Sequence, residues 1–231
     1  MTERSPLDKP PWGRESFYDL YDEPPRVRFS LIEAMHLLAS VVVLTLAFAM
    51  VLGIRKADSA FGFELDTSAD IPQLLLFAAI AVVPAFILHE LAHKIVAQRK
   101  DMWAEFRANP LGLIGGLIIT ALTGFLFASP GAVEIVGRAD DRDAGVISIV
   151  GPGVNLTLAG LALLLDPLIP PMRVAGFGSY VQLIALLNII LAAFNMLPVG
   201  PLDGRKVWRW SKLAFAGMWA LILALGLLFV M

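Results

Sequence analysis

The chain has 231 residues, of which 58% are hydrophobic and 16% charged; soluble domains carry roughly 45–50% apolar and about 25% charged residues. An ordinary soluble domain is therefore excluded, and several apolar runs reach the ~20 residues that cross a bilayer, which implies an integral, multi-pass membrane protein. The net charge of −2 offers no basic excess that would point to nucleic acid, and the absence of cysteine excludes disulfides and thiolate metal sites.

Residues 1–30 mix six acidic and five basic side chains with five prolines. They are expected to form a soluble N-terminal tail, poorly ordered or docked through Trp12, Phe17, Tyr18 and Tyr21, with no cleavable signal peptide. Residues 31–231 read as a membrane-embedded domain with its core at about 72–210. A first span is predicted from near Leu31 to Ile54, with Glu33 and His36 hydrated at the interface. After a polar loop, Asp70 and Pro72 open a second helix. Its run from Ile71 to Leu88 has no charged side chain and leads into His89-Glu90-Leu91-Ala92-His93. Pro84 suggests a kink, and Lys94 reads as a side chain snorkelling to the interface. Leu111–Ala128 is uncharged and hydrophobic, with four glycines, and Ala132–Gly137 has strand character. Arg138–Asp143 reads as a solvated turn. Further spans are predicted at Gly145–Leu165, Ser179–Leu197 and Leu213–Met231.

Two histidines four residues apart lie on one face of a helix, one turn above the other, and so can share one zinc. Glu90 beside them can take a proton from a water held at the metal. A catalytic site usually has three protein ligands, and His36, Glu134, Asp166 and Asp203 are the candidates for the third. Asp203 is favoured because Pro198, Gly200, Pro201 and Gly204 break the helix around it. Membranes tolerate irregular backbone only inside protein or along a wet cavity. The alternative is an ordinary loop with Asp203 facing water.

HELAH within an apolar helix, Gly151-Pro152-Gly153-Val154-Asn155, and Asn195-Met196-Leu197-Pro198 followed by Pro201-Leu202-Asp203-Gly204 resemble the site-2 protease family of intramembrane zinc metalloproteases. The resemblance covers about residues 72–210 and departs at Arg205, where many members have a second glycine. It implies His89, His93 and Asp203 as ligands of one Zn2+ per chain and Glu90 as the catalytic glutamate. Asn155 and Asn195 would pack or position substrate. Val133 and Ile135 would belong to a small membrane-associated sheet that receives unwound substrate by strand addition. The implied activity is cleavage of transmembrane segments of other membrane proteins within the lipid bilayer. A zinc- or proton-coupled transporter and an inactive membrane scaffold are the alternatives from other classes. The intact Glu90 and the lack of an internal repeat argue against them.

Topology follows from sharing the metal. If Leu111–Ala128 crossed the membrane, Asp203 would emerge opposite the histidines. If it re-enters as a hairpin, both lie on one side. Fourteen basic residues then fall in 1–30, 97–144 and 199–212, against Arg55, Lys56 and Arg173 opposite. The positive-inside rule predicts a cytoplasmic N-terminus and an extracytoplasmic C-terminus. The expected fold is an all-α polytopic membrane protein with five full transmembrane helices, a hydrophobic re-entrant hairpin and a small β element.

Overall fold

The computed structural model describes residues 27–56, 63–65, 70–124, 130–137, 139–169, 173–174 and 178–230. The expectations for Trp12, Phe17, Tyr18 and Tyr21 lie outside them. The chain begins with α1 (Leu31–Gly53), then a short ladder of β1 (Ile54–Lys56) and β2 (Phe63–Leu65), and α2 (Ile71–Gln98). β3 (Trp103–Ala108), α3 (Pro110–Thr123) and β4 (Gly131–Val136) follow, then α4 (Asp141–Leu165). A second ladder joins β5 (Arg173–Val174) to β6 (Gly178–Ser179), and α5 (Tyr180–Asn195), α6 (Asp203–Trp210) and α7 (Lys212–Val230) complete the chain.

Local chemistry sets the helix starts. The Asp70 carboxylate accepts from Gln73 N, and Asp140 accepts from Asp143 N at 2.7 Å. Ser179 and Gln182 form a reciprocal capping box. The Asp140 cap begins α4 at Asp141, so the second half of the predicted turn at 138–143 is the first turn of a helix instead.

Polar contacts gather the helix ends into two groups. Lys100 pairs with Asp143 at 2.6 Å, Arg209 with Asp141 at 3.0 Å, and Ser30 Oγ donates to Glu105 at 3.1 Å. The start of α1, the end of α2, the start of α4 and α6 thus share one end of the bundle. At the other end Asp166 accepts from Ser179 Oγ and from Gln182 Nε2, and Tyr180 donates to the Phe77 carbonyl at 2.5 Å. Between them Ala78, Ala81 and Ala85 are fully buried and let neighbouring helices close on α2. Leu44, Phe48, Phe86, Leu183 and Leu187 fill the space around them. Leu111, Leu213 and Val230 are among many large apolar side chains that face outward, which a lipid surround accommodates at no cost.

Among the described residues four helices are long and apolar enough to cross a membrane, namely α1, α2, α4 with its 3-10 extension to Leu168, and α7. Ser179–Leu197, expected as a further full span, forms a 16-residue apolar helix that runs from the Asp166 end of the bundle to the metal cavity. At 1.5 Å per residue it is about 24 Å long, against a hydrocarbon core of about 30 Å. Its cap at Ser179 and the proline-broken segment after Asn195 shorten it at both ends. The Leu111–Ala128 stretch holds the 14-residue α3, ended by Gly124 in the left-handed region (φ 66°). The chain that leaves the sheet at Ala108 is back in it at Gly131, and Asn109 N donates to the Pro130 carbonyl at 2.9 Å. Both ends of that stretch therefore lie at the same end of the bundle. β3 was not apparent as a strand in the sequence; it pairs antiparallel with β4 from Trp103↔Val136 to Ala108↔Gly131.

Glu33 and Lys94 overturn their expected interfacial placement. Glu33 is 0% and Lys94 1% exposed, and the two form an ion pair. The other Glu33 oxygen accepts from Phe106 N at 3.0 Å, and His36 Nδ1 accepts from Ala108 N at 3.3 Å. The Lys94 ammonium also lies 4.2 Å from the Phe29 ring centroid. The apolar stem that would carry Lys94 to water instead delivers its charge to a partner inside the bundle. Removing one member strands the other, which costs about 3–5 kcal/mol in a buried pair. Lys94→Met should therefore lower thermal stability in detergent, and Glu33→Gln/Lys94→Met should recover most of the loss; equal melting of the single variant and the wild type would refute this.

Candidate metal centre

His89 and His93 project from successive turns of α2, with Nε2 atoms 3.0 Å apart. Asp203, the first residue of α6, brings Oδ2 to 3.1 Å from His93 Nε2 and 3.5 Å from His89 Nε2. All three are buried, and theirs is the only such converging set of three among the described residues. A tetrahedral zinc with bonds of roughly 2.0–2.1 Å spaces its ligand atoms by about 3.3 Å. The observed separations bracket that figure.

Hydrogen bonds behind the rings fix which nitrogens face inward. His93 Nδ1 lies 2.6 Å from the Ile147 carbonyl, which can only accept, so Nδ1 donates. His89 Nδ1 lies 2.6 Å from Asn155 Oδ1. Asn155 Nδ2 donates to the Ala85 carbonyl at 3.0 Å and to Asn188 Oδ1 at 2.9 Å, and Asn188 Nδ2 donates to the Ile184 carbonyl at 2.9 Å. That order leaves Asn155 Oδ1 as the acceptor for the His89 N–H. In the neutral rings both Nε2 atoms are consequently bare, and their lone pairs face each other and a carboxylate. A cation among them relieves that repulsion, and two imidazoles with one carboxylate are donors zinc accepts. Burial raises the Asp203 carboxyl, but the positive charge and N–H groups that His93 and His89 carry when protonated outweigh it and hold the group below the usual carboxylate range, the same demand for a cation at this point.

Two glycines make room for this geometry. A Cβ on Gly151 of α4 would overlap the Nε2 atoms of both histidines, in the space a bound ion needs. A Cβ on Gly204 would overlap the Met196 carbonyl, so only glycine lets α6 approach the end of α5 closely enough to deliver Asp203.

Glu90 lines the same cavity of about 490 Å3 as the two histidines and Asp203, together with Val133, Ile135, Asn195 and Lys206. Backbone parity sets which edge of the sheet faces it. In antiparallel strands the N–H and C=O of one residue point to the same side. Phe106 N and Ala108 N point to α1, so Glu105 and Arg107 bond to Glu134 and Ala132. Val133 and Ile135 therefore turn their backbone groups away from β3, on the strand that lines the cavity with Glu90.

The site residues inferred from sequence separate as follows. His89, His93, Asp203 and Glu90 come together, and Asn195, Val133 and Ile135 line their cavity. Asn155 is 0% exposed and does not line it; its contact is with His89, so the structure supports packing behind the metal rather than touching a substrate. His36 and Asp166 are engaged elsewhere, and Glu134 is exposed. Asn188 and Gly151 were missed. Asn188 carried a signal, because it is a lone polar residue inside an apolar run and such groups are costly in lipid.

A cluster that could hold a metal ion, sunk among helices apolar enough to span a bilayer, is the arrangement of a membrane-embedded metalloenzyme. The model of peptidase family M50 matches residues 170–212. Over 148 residues the chain is 37% identical to the protein named "Putative zinc metalloprotease MJ0611" of Methanocaldococcus jannaschii, covering 62% of this chain and 74% of that one. It is 30% identical over 149 residues to the similarly named YwhC of Bacillus subtilis, covering 58% and 68%. No solved structure matches the chain. The chain belongs to peptidase family M50, the site-2 protease family of zinc metalloproteases.

Zinc content should follow the geometry. Asp203→Ala and Gly151→Ala should purify with clearly less than one zinc per chain by metal analysis, and Asp166→Ala with the wild-type content. Full occupancy in Asp203→Ala would remove that carboxylate as a ligand.

Proposed function

We propose that the chain is a zinc-dependent intramembrane endopeptidase that cuts membrane-embedded segments of other proteins, with His89, His93 and Asp203 as metal ligands and Glu90 as the acid–base group. The observation that carries this is the convergence of two bare Nε2 atoms, the Asp203 carboxylate and Glu90 on one cavity at the outward edge of β4. Zinc held there supplies a Lewis acid that polarises the scissile carbonyl and lowers the pKa of water toward about 7.

The chain's own residues account for the rest. Glu90 receives the proton of the attacking water and returns it to the leaving amine nitrogen. Asn155, backed by Asn188, and the Ile147 carbonyl hold the two imidazoles in the tautomer that turns Nε2 to the cavity. A helical substrate hides its carbonyls in its own hydrogen bonds and must unwind before attack. The outward N–H and C=O groups of Val133 and Ile135 offer an unwound segment strand pairing beside Glu90. Asn195 lies on the same cavity wall and serves to orient that segment.

The N-terminus is assigned to the cytoplasm, with α3 as a re-entrant excursion and the site near the cytoplasmic face. The charge asymmetry supports this, as does the clustering of Lys100, Asp143, Asp141 and Arg209 at the end of the bundle that bears the metal cluster.

Two measurements test the assignment. Glu90→Gln keeps the shape of the side chain and loses the base, so cleavage of a transmembrane substrate should fall by about a hundredfold or more while zinc content stays at the wild-type level. Activity within a few-fold of wild type would end this mechanism. With no native cysteine to remove, single cysteines can be placed at Ser5, Ser59 and Ala139 and treated with an impermeant maleimide. Ser59 should react in intact cells, and Ser5 and Ala139 only after lysis. Labelling of Ala139 together with Ser59 in intact cells would mean that α3 belongs to a full crossing.

A further inference from the structure

A two-stranded sheet has two outer edges, and the treatment of the β3 edge is unusual. α1 carries Glu33, His36 and Ser40 at i, i+3 and i+7, one stripe down one face of an otherwise apolar helix. Each of the three meets backbone of the sheet region. Glu33 accepts from Phe106 N, His36 from Ala108 N, and Ser40 Oγ donates to the Pro130 carbonyl at 3.2 Å. Of the outward groups of β3, the Phe106 and Ala108 amides are thereby occupied by side chains and the Ala104 carbonyl accepts from Gln98 Nε2 at 3.1 Å, while β4 keeps the open edge. Glu33 does more than cap. Its second oxygen holds Lys94, the residue after His93 on α2. Phe106 in turn is paired with Val133, which lines the same cavity as Glu90. The connections run from α2 at Lys94 through Glu33 and Phe106 to Val133, on the wall of the cavity that Glu90 also lines.

We propose that Glu33, assisted by His36, is a positioning residue that blocks the β3 edge and holds the β4 edge in fixed register against the metal-bearing helix, so that a single substrate bond is presented for cleavage. The inference rests on the reading that substrate adds as a strand to β4. Strand register moves in steps of residues, so a sheet released from α1 can present neighbouring bonds as well. A purely structural role for Glu33 would change the amount of folded protein but not which bond is cut.

The test compares two double variants that leave no stranded charge. Glu33→Gln/Lys94→Met keeps an acceptor for Phe106 N, whereas Glu33→Leu/Lys94→Met fills similar space without one. Each is purified whole in detergent, assayed for zinc, and given a transmembrane peptide substrate whose product termini are read by mass spectrometry. The Gln variant should cut the wild-type bond alone. The Leu variant should keep its zinc, cut at adjacent bonds as well, and show KM raised about tenfold, the scale of one lost buried hydrogen bond. His36→Leu, which leaves the ion pair intact, should shift the products in the same direction and serves if the Leu double variant does not fold. A single wild-type bond and unchanged KM in Glu33→Leu/Lys94→Met, or in His36→Leu where it stands in, would overturn the proposal. Two controls separate that failure from failure of the underlying reading. Val133→Pro deletes the outward N–H, and unaltered cleavage by it would sink strand addition and this inference with it. Cleavage by Glu90→Gln within a few-fold of wild type would instead remove the Glu90 mechanism of the proposed function.

Discussion

Two imidazole nitrogens without protons, held 3.0 Å apart in a buried site, are the constraint on which the rest of the structure turns. Lone pairs at that distance repel unless a cation lies between them. Every neighbouring element contributes to keeping them there. α4 supplies the Ile147 carbonyl and Asn155 behind the rings, and leaves a gap at Gly151 in front of them. α5 supplies Asn188 to orient Asn155. α6 brings the carboxylate, and can do so only because Gly204 lets it approach the Met196 carbonyl.

The second demand comes from the bilayer, where no water satisfies an unpaired backbone amide or a lone charge. The sheet is the most exposed to this problem, since a two-stranded ribbon leaves half of its backbone groups unpaired. One edge is met by a polar stripe on α1. The other edge, at Val133 and Ile135, stays open on the cavity that Glu90 also lines. The Lys94–Glu33 pair is a case in which two expensive groups offset each other. Its position, one residue from a metal-facing histidine, places a rigid cross-link next to the most demanding geometry in the molecule.

Much of this was legible in the residue pattern. The HELAH spacing on an apolar helix located His89, Glu90 and His93, because helical periodicity alone puts the two rings on one face. Asp203 was accessible because prolines and glycines around a carboxylate are hard to explain in a hydrophobic chain. Long apolar runs placed α1, α2, α4 and α7 to within a few residues. What the pattern could not convey was partnership across distance. Glu33 and Lys94 lie 61 positions apart, and each alone resembles an interfacial charge. β3 escaped notice because Trp103–Ala108 mixes charged and apolar residues, and only its pairing with β4 and capping by α1 make it a strand. The length of α5 was misjudged because hydropathy continues through Met196 and Leu197 after the helix has ended.

The short α5 has a bearing on water supply. Its apolar length of about 24 Å falls below the hydrocarbon thickness, and Ile190 alone of its residues is exposed, so the helix is walled by protein. The helix ends at Asn195, on the wall of the metal cavity. Pro201, exposed beyond that end, lines the same cavity, so water, the second reactant of hydrolysis, reaches the site past a buried helix that stops short rather than through a full apolar span.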